Sequence, residues 1–187
     1  GVYLWDVQGK RYVDFVAGIA VCILGHSHPA VIRAVNRQVK KLVHVSNLYY
    51  IKEQAELARL LARICPRGIQ KFFFCNSGTE AVEAALKLAV KHSGKGKIIA
   101  MQGSFHGRTA ASLSVTWNPS YRGPFRDLLV KKIQFAKFND PDSLEKKLKK
   151  GATAVIMEPI QAEGGVNVPS EDFLPTVRKM CEEYGVL

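Results

Sequence analysis

No run in the sequence approaches the length of about 18 apolar residues that a bilayer crossing needs, and residues 1–20 lack a basic stretch followed by a continuous apolar one. Neither a membrane-spanning helix nor a secretory leader is expected within residues 1–187, and the expected location is the cytoplasm. Cysteine is sparse: Cys22, Cys65, Cys75 and Cys181 form no C-x-x-C pair and show no regular spacing. That argues against a disulfide framework or a zinc ribbon, and the four read as buried free thiols in a reducing compartment. Low-complexity tracts and solenoid-period repeats are missing too, which excludes disordered, collagenous and repeat architectures.

Acidic residues are in short supply, 16 Asp+Glu against 27 Lys+Arg, for a net charge of +11. Such an excess attracts phosphate-rich partners. Its distribution points elsewhere. Arg33, Arg37, Lys40 and Lys41, and again Lys146, Lys147, Lys149 and Lys150, interleave with apolar positions at helical spacing, as solvated helix faces do. No RRM, zinc-finger or basic-zipper pattern accompanies them, so neither nucleic acid nor a membrane is an expected partner.

What is present is a chain that is 47% hydrophobic, enough for a sizeable core. Tyr3-Leu4-Trp5 and Tyr12-Val13-Asp14-Phe15 flank the turn Asp6–Lys10, a hairpin signal. Pro29 follows Gly25-His26-Ser27-His28 as a first helical residue, and Val31, Val35, Val39 and Leu42 continue as a helical stripe. With no acidic or thiol companion nearby in sequence, the two histidines suit a helix entry better than a metal site. A second amphipathic helix turns Leu57, Leu60, Leu61 and Ile64 inward and closes at Pro66.

From about residue 70 short apolar runs alternate with helices: 71–75 then 79–92, 97–101 then a short helix after Gly107, 130–135 then 140–150, 152–157 then 170–184. This alternation predicts an α/β fold with a mostly parallel sheet flanked by helices. Asp140 before Pro141 and Ser170 before Glu171-Asp172 are the expected N-caps. Gly185 ends the last helix, and Val186-Leu187 read as the start of a further strand.

Three junctions carry chemistry. Asn76-Ser77-Gly78-Thr79-Glu80 sits at a strand-to-helix turn, where unpaired amides and the helix dipole suit an anion, with hydroxyls on either side of Gly78. By itself it reads equally well as a capped turn. Phe105-His106-Gly107-Arg108 follows the next strand and offers an aromatic face, an imidazole and a planar fork matched to a carboxylate. Glu158-Pro159-Ile160-Gln161-Ala162-Glu163-Gly164-Gly165 again follows a strand, placing two carboxylates beside paired glycines; the plain alternative is a polar loop.

In this order, these motifs together with Gly25-His26-Ser27-His28-Pro29 resemble the class III, subgroup II aminotransferases that use pyridoxal 5'-phosphate, and the match covers essentially the whole chain. The resemblance implies the fold type I architecture of that family, with residues 1–50 as hairpin and helix belonging to a small domain and linker, and 51–187 as the first part of the large cofactor-binding domain. It implies that Ser77, Gly78 and Thr79 hold the cofactor phosphate. Phe105 would stack on the pyridine ring with His106 close by, and Glu158 would support the pocket. Arg108 would take the substrate α-carboxylate, Glu163 would act as a gating carboxylate, and Asn47 would join the substrate site.

The stretch Gly18–Val21 with His44–Tyr49 is most similar to the branch acting on N-acetylornithine, with ornithine, 4-aminobutyrate or a carrier-bound lysine as alternative amino donors and 2-oxoglutarate as acceptor; a non-catalytic binding fragment of such an enzyme is the other alternative. A homodimer is implied as well. Val82 stands where the family often has Asn and Ala162 where it usually has Gly, both expected to lie clear of the reaction centre. The family's Schiff-base Lys and the Asp that meets the pyridinium nitrogen belong to a later segment, so no catalytic Lys is expected in residues 1–187.

Overall fold

The computed structural model describes residues 1–94 and 96–187. The chain divides into two compact units, Gly1–Phe72 and Phe73–Leu187.

The first unit opens on the expected hairpin. Strands β1 (Tyr3–Trp5) and β2 (Arg11–Val13) pair antiparallel, with Leu4 opposite Tyr12. Asp6 organises the turn: its Oδ1 accepts the amides of Gln8 and Lys10 at 3.0 and 2.9 Å, and its Oδ2 accepts the Tyr12 hydroxyl at 3.0 Å. Helical turn α1 (Ala17–Ala20) is left-handed, with positive φ at Ala17, Gly18, Ile19 and Ala20. Asp14 anchors it, accepting the amides of Val16 and Ala17 and meeting His26 Nε2 at 2.6 Å.

Helix α2 (Pro29–Val39) starts as the sequence predicts, with Pro29 at N1 and His28 Nδ1 accepting the Ala30 amide at 3.3 Å. Helix α3 (Lys52–Ile64) ends just before Pro66. The inward face expected of these helices is not covered: Val31, Val35, Val39, Leu42, Leu57, Leu60 and Ile64 are exposed, and Leu61 is half-buried. Periodicity correctly places them on one stripe, but burial needs a covering surface that this chain does not bring to them.

In the second unit, α4 (Gly78–Ser93) is followed by β3 (Ile98–Met101), α5 (Ala110–Val115), α6 (Pro119–Arg122), a 3₁₀ segment (Gly123–Leu128), β4 (Ile133–Ala136), α7 (Pro141–Leu148), β5 (Ala154–Val155) and α8 (Phe173–Glu183). The sheet is all parallel in the order β4-β3-β5, the α/β arrangement that alternation predicts. Central β3 is buried on both faces, and successive residues point to opposite sides. Ile99 and Met101 pack with Leu144, Leu148, Phe173 and Val177 of α7 and α8. Ile98 and Ala100 pack with Leu86, Ala89 and Val115 of α4 and α5.

Leu187 continues the sheet beside β5: its amide donates to Thr153 O and its carbonyl accepts from Val155, as the Val186-Leu187 reading expects. Three local expectations are corrected. The run 71–75 belongs to neither sheet, because aromatic composition gives strand propensity while membership in a sheet is set by tertiary register. Ser170 does not cap α8; its amide and hydroxyl both donate to Asn139 Oδ1, and the helix begins after Asp172 without a side-chain cap. All four cysteines are free as expected, but Cys181 alone is buried; Cys22 and Cys65 are half-buried and Cys75 is exposed. Asp140 does cap α7, accepting the Ser143 amide at 2.9 Å. Among the described residues no helix is long and apolar enough to cross a membrane.

Candidate functional site

Parallel strands deliver their carboxyl ends to one side of a sheet, and the loops there converge with the start of the adjoining helix. In the second unit the loop after β3 meets the N-terminus of α4 around a cavity of about 600 Å³, with Ser77, Gly78, Thr79, Phe105, His106 and Arg108 among its lining. Six residues from two separate sequence motifs thus share one pocket.

The α4 terminus is built for an anion. Gly78 and Thr79 occupy its first two positions, where amides have no carbonyl four residues back within the helix. Ser77 caps the helix by accepting the Glu80 amide at 3.3 Å, while the Glu80 carboxylate accepts the Asn76 amide at 2.6 Å. A cap that accepts through its oxygen leaves the Ser77 proton available to a ligand.

Thr79 is different. Its Oγ1 lies 2.8 Å from Thr109 Oγ1 and 2.6 Å from Ser112 Oγ, at the start of α5. The Thr109 proton goes to Glu83 Oε1 at 2.6 Å, because an ionised carboxylate only accepts. Glu83 Oε1 also takes the amides of Ala111 and Ser112 at 2.9 and 3.1 Å. Burial by itself raises the Glu83 pKa, but the hydrogen bonds from Thr109, Ser112 and Ala111 outweigh it and hold the carboxyl below its usual range. Within this closed set the Thr79 proton is directed inward, so Thr79 faces the cavity as a backbone donor. Neither Glu83 nor Ser112 stands out in the sequence. Thr109-x-x-Ser112 is readable as a helix start, whereas a carboxylate 26 residues away in sequence is not.

His106 is buried, 8% exposed, and its Nε2 has no hydrogen-bond partner. Its amide is fixed on Thr116 Oγ1 at 2.9 Å. Desolvation pushes the imidazole pKa down to about 4, so the ring is neutral at physiological pH and its buried Nε2 stays uncommitted. The folded-state pKa lies below the unfolded value, so this group's contribution to stability is complete above about pH 6.5 and is lost as pH falls towards 4. The loss is expected to reach about 3 kcal/mol, because the unfolded chain takes up a proton there that the folded site refuses. Urea midpoints at pH 7 and pH 4.5 measure it, and an equal drop in His106→Gln would refute the assignment.

Glu158 spends its carboxylate on backbone: Oε1 accepts the Phe105 amide at 2.8 Å and Oε2 the Ala162 amide at 3.4 Å. It joins the loops after β3 and β5. Glu163 is exposed and accepts the Tyr121 hydroxyl at 3.1 Å beside a smaller cavity of about 350 Å³ that Phe105 also borders. Arg108 stands exposed at the larger cavity with neither an ion pair nor a hydrogen bond among the described residues. Asn47 belongs to the unit Gly1–Phe72, where its Oδ1 accepts from Gln54 Nε2 at 3.5 Å. Val82, expected to stand clear of the reaction centre, lines the larger cavity. It lies one helical turn below Gly78 and Thr79 and therefore on their face.

Comparison with known proteins identifies the family. The family model described as aminotransferase class III matches residues 1–187. The chain is 51% identical to an acetylornithine aminotransferase of Methanopyrus kandleri and 50% identical to that of Methanosarcina mazei, covering all of this chain and 48% and 47% of those proteins. Among solved structures, a transaminase from the marine bacterium Virgibacillus superposes with a TM-score of 0.94 at 30% identity, over all of this chain and 46% of that one. An ornithine aminotransferase from Toxoplasma gondii, crystallised with partial occupancy of PLP at its active site, superposes at 0.91 with 31% identity and the same coverage. The chain spans about half the length of the relatives it matches. On sequence and fold together, it belongs to the class III aminotransferase family.

Proposed function

We propose that this chain is the amino-terminal portion of a pyridoxal-phosphate-dependent aminotransferase that passes the terminal amino group of N-acetylornithine to 2-oxoglutarate, giving N-acetylglutamate semialdehyde and glutamate. The observation that carries the reading is the shared pocket: an anion-binding helix terminus, an aromatic face and an uncommitted arginine border one cavity. The residues fit the cofactor. The first amides of α4 and the Ser77 hydroxyl suit a phosphate dianion, Phe105 offers a flat face, and the buried Nε2 of His106 lacks a partner that a ring substituent or ordered water would supply. When bound, the cofactor supplies the electron sink that makes a C–H bond next to an amine labile.

The chain's own residues then bind and orient. Arg108 takes the substrate α-carboxylate, Glu158 keeps Phe105 in place through its amide, and Gly107 lets the loop run close beside α4. Glu163 acts as the gating carboxylate that distinguishes the two half-reactions. The Gly18–Val21 and His44–Tyr49 stretches support N-acetylornithine as donor over ornithine, 4-aminobutyrate or a carrier-bound lysine, in a cytoplasmic homodimer serving arginine biosynthesis. Incubation of the full-length protein with each donor and 2-oxoglutarate, with glutamate as the readout, tests this. Faster turnover of ornithine than of its N-acetyl form would overturn the choice of donor.

No lysine lines the cavity among the described residues. Residues 1–187 alone are therefore expected to bind the cofactor without covalent attachment. Borohydride reduction followed by peptide mass spectrometry should find no lysine modified stoichiometrically, and a single fully labelled lysine would refute that.

A further inference from the structure

Glu163 sits on a loop that is fastened at several points. Gln161, 1% exposed, donates through Nε2 to Gln102 O at 2.8 Å, and its backbone exchanges two hydrogen bonds with Asn167. Asn167 Nδ2 donates to Gly164 O at 3.0 Å and to Gln161 Oε1 at 3.1 Å. Gly164 lies so close to the Gly103 carbonyl that a Cβ would come within 2.4 Å of its oxygen. The backbone that carries Glu163 is thus tied to the end of β3, and the freedom left to this residue is the rotation of its exposed side chain.

That rotation is restrained by Tyr121. Helix α6 carries it, with Pro119 at N1 and the Asn118 side chain accepting the Ser120 amide at 2.9 Å. The next residue, Arg122, stacks its guanidinium 4.7 Å from the centre of the Phe135 ring. The Tyr121 ring meets Phe105 edge-on, with centroids 6.1 Å apart at 82°, and its hydroxyl donates to Glu163 Oε1 at 3.1 Å. Phe105 borders both cavities, with Arg108 on one and Glu163 on the other. A cationic and an anionic side chain therefore flank the same ring.

We propose that Tyr121 is a positioning residue whose hydroxyl fixes the Glu163 carboxylate beside Phe105, where its charge disfavours a substrate that carries two carboxylates relative to one that carries a single carboxylate and an amine. The proposal rests on the reading of the pocket as an amino-acid site. It adds a residue that no sequence motif here singles out and assigns it control of selectivity. The bond to Glu163 also holds the Tyr121 phenol above its usual pKa.

The test is a double-mutant cycle in the full-length, cofactor-loaded protein with Tyr121→Phe, Glu163→Gln and the pair. Tyr121→Phe keeps the ring against Phe105 and removes the hydroxyl, so the carboxylate is free to turn to solvent. The KM for 2-oxoglutarate is expected to fall about threefold to tenfold relative to that for the amino donor. Glu163→Gln should shift the ratio the same way, and the second substitution should add little to it. An unchanged or opposite ratio in Tyr121→Phe, or full additivity in the pair, overturns the proposal.

Phenol titration of the same full-length protein, with Tyr121 assigned by subtracting the Tyr121→Phe curve, gives a readout independent of turnover. Glu163→Gln should bring the Tyr121 ionisation down, and no change overturns the tether. If the wild-type protein forms no glutamate from any donor, the aminotransferase reading fails, and the titration alone decides whether Tyr121 holds Glu163.

Discussion

Gly107→Ala is expected to cost roughly 3 kcal/mol or more of folding stability and to abolish cofactor binding. A Cβ at this position would lie 2.3 Å from Thr79 Oγ1 and 2.6 Å from Ser112 Oγ, and the backbone there has φ of +132°, a conformation L side chains rarely adopt. The two penalties have separate origins, each worth about 1–3 kcal/mol: overpacking against neighbours, and backbone strain. Neighbouring groups cannot simply move away. Thr79 and Ser112 belong to the hydroxyl set that Glu83 closes, and shifting either breaks hydrogen bonds that tie α4 to α5. Urea denaturation measures the first effect and fluorescence titration with pyridoxal phosphate the second.

Gly78→Ala separates folding from binding. Nothing lies within 4 Å of the Cβ it would add, and φ at Gly78 is not in the left-handed region. Stability should stay within about 0.5 kcal/mol, since alanine is the better helix former at the start of α4. A weakened affinity for inorganic phosphate would then arise from the methyl group at the anion site and not from unfolding. Loss of stability comparable to that of Gly107→Ala would show that the space around Gly78 is not open.

How far the sequence specifies all this depends on the range of each interaction. Local signals read true. Asp140 before Pro141 and His28 before Pro29 cap their helices, and Ser77 accepts the amide three residues on, because a cap is decided within four residues. The alternation of β3, β4 and β5 with helices also fixes a parallel sheet, since the crossovers permit little else. Signals that depend on a partner read less well. The stripes of α2 and α3 are real, but what covers them is a tertiary matter. Run 71–75 has the composition of a strand without belonging to either sheet, and Ser170, with the look of a cap, bonds to Asn139 31 residues away.

The site divides along the same line. The helix terminus and the loop after β3 were visible because each is a short motif at a strand or helix end. Glu83, Ser112 and Tyr121 act across 26 to 42 residues and leave no local pattern. Even within a recognised motif, the structure redistributes roles: Thr79 turns its hydroxyl away from the cavity, and Glu158 binds amides of its own chain.

Arg108→Ala should raise KM for the amino donor and for 2-oxoglutarate together, each by about 100-fold, with kcat reduced much less. Lys41 pairs with Glu53 at 3.1 Å and Lys149 with Glu145 at 2.8 Å. Arg108 stands at the pocket with no such partner. An arginine left uncommitted beside an anion-binding helix terminus keeps its five donors for a ligand, and a bidentate carboxylate satisfies the planar fork in a way that one ammonium cannot. The donor reacts at its terminal amine, so its α-carboxylate is the end remote from the reaction; the remote carboxylate of 2-oxoglutarate takes the same place, so one residue serves both half-reactions and both constants must move. Arg108→Lys keeps the charge and loses the fork, and should recover only part of the affinity. A KM that rises for one substrate alone would confine Arg108 to that substrate's carboxylate, and constants unchanged for both would remove it from substrate binding.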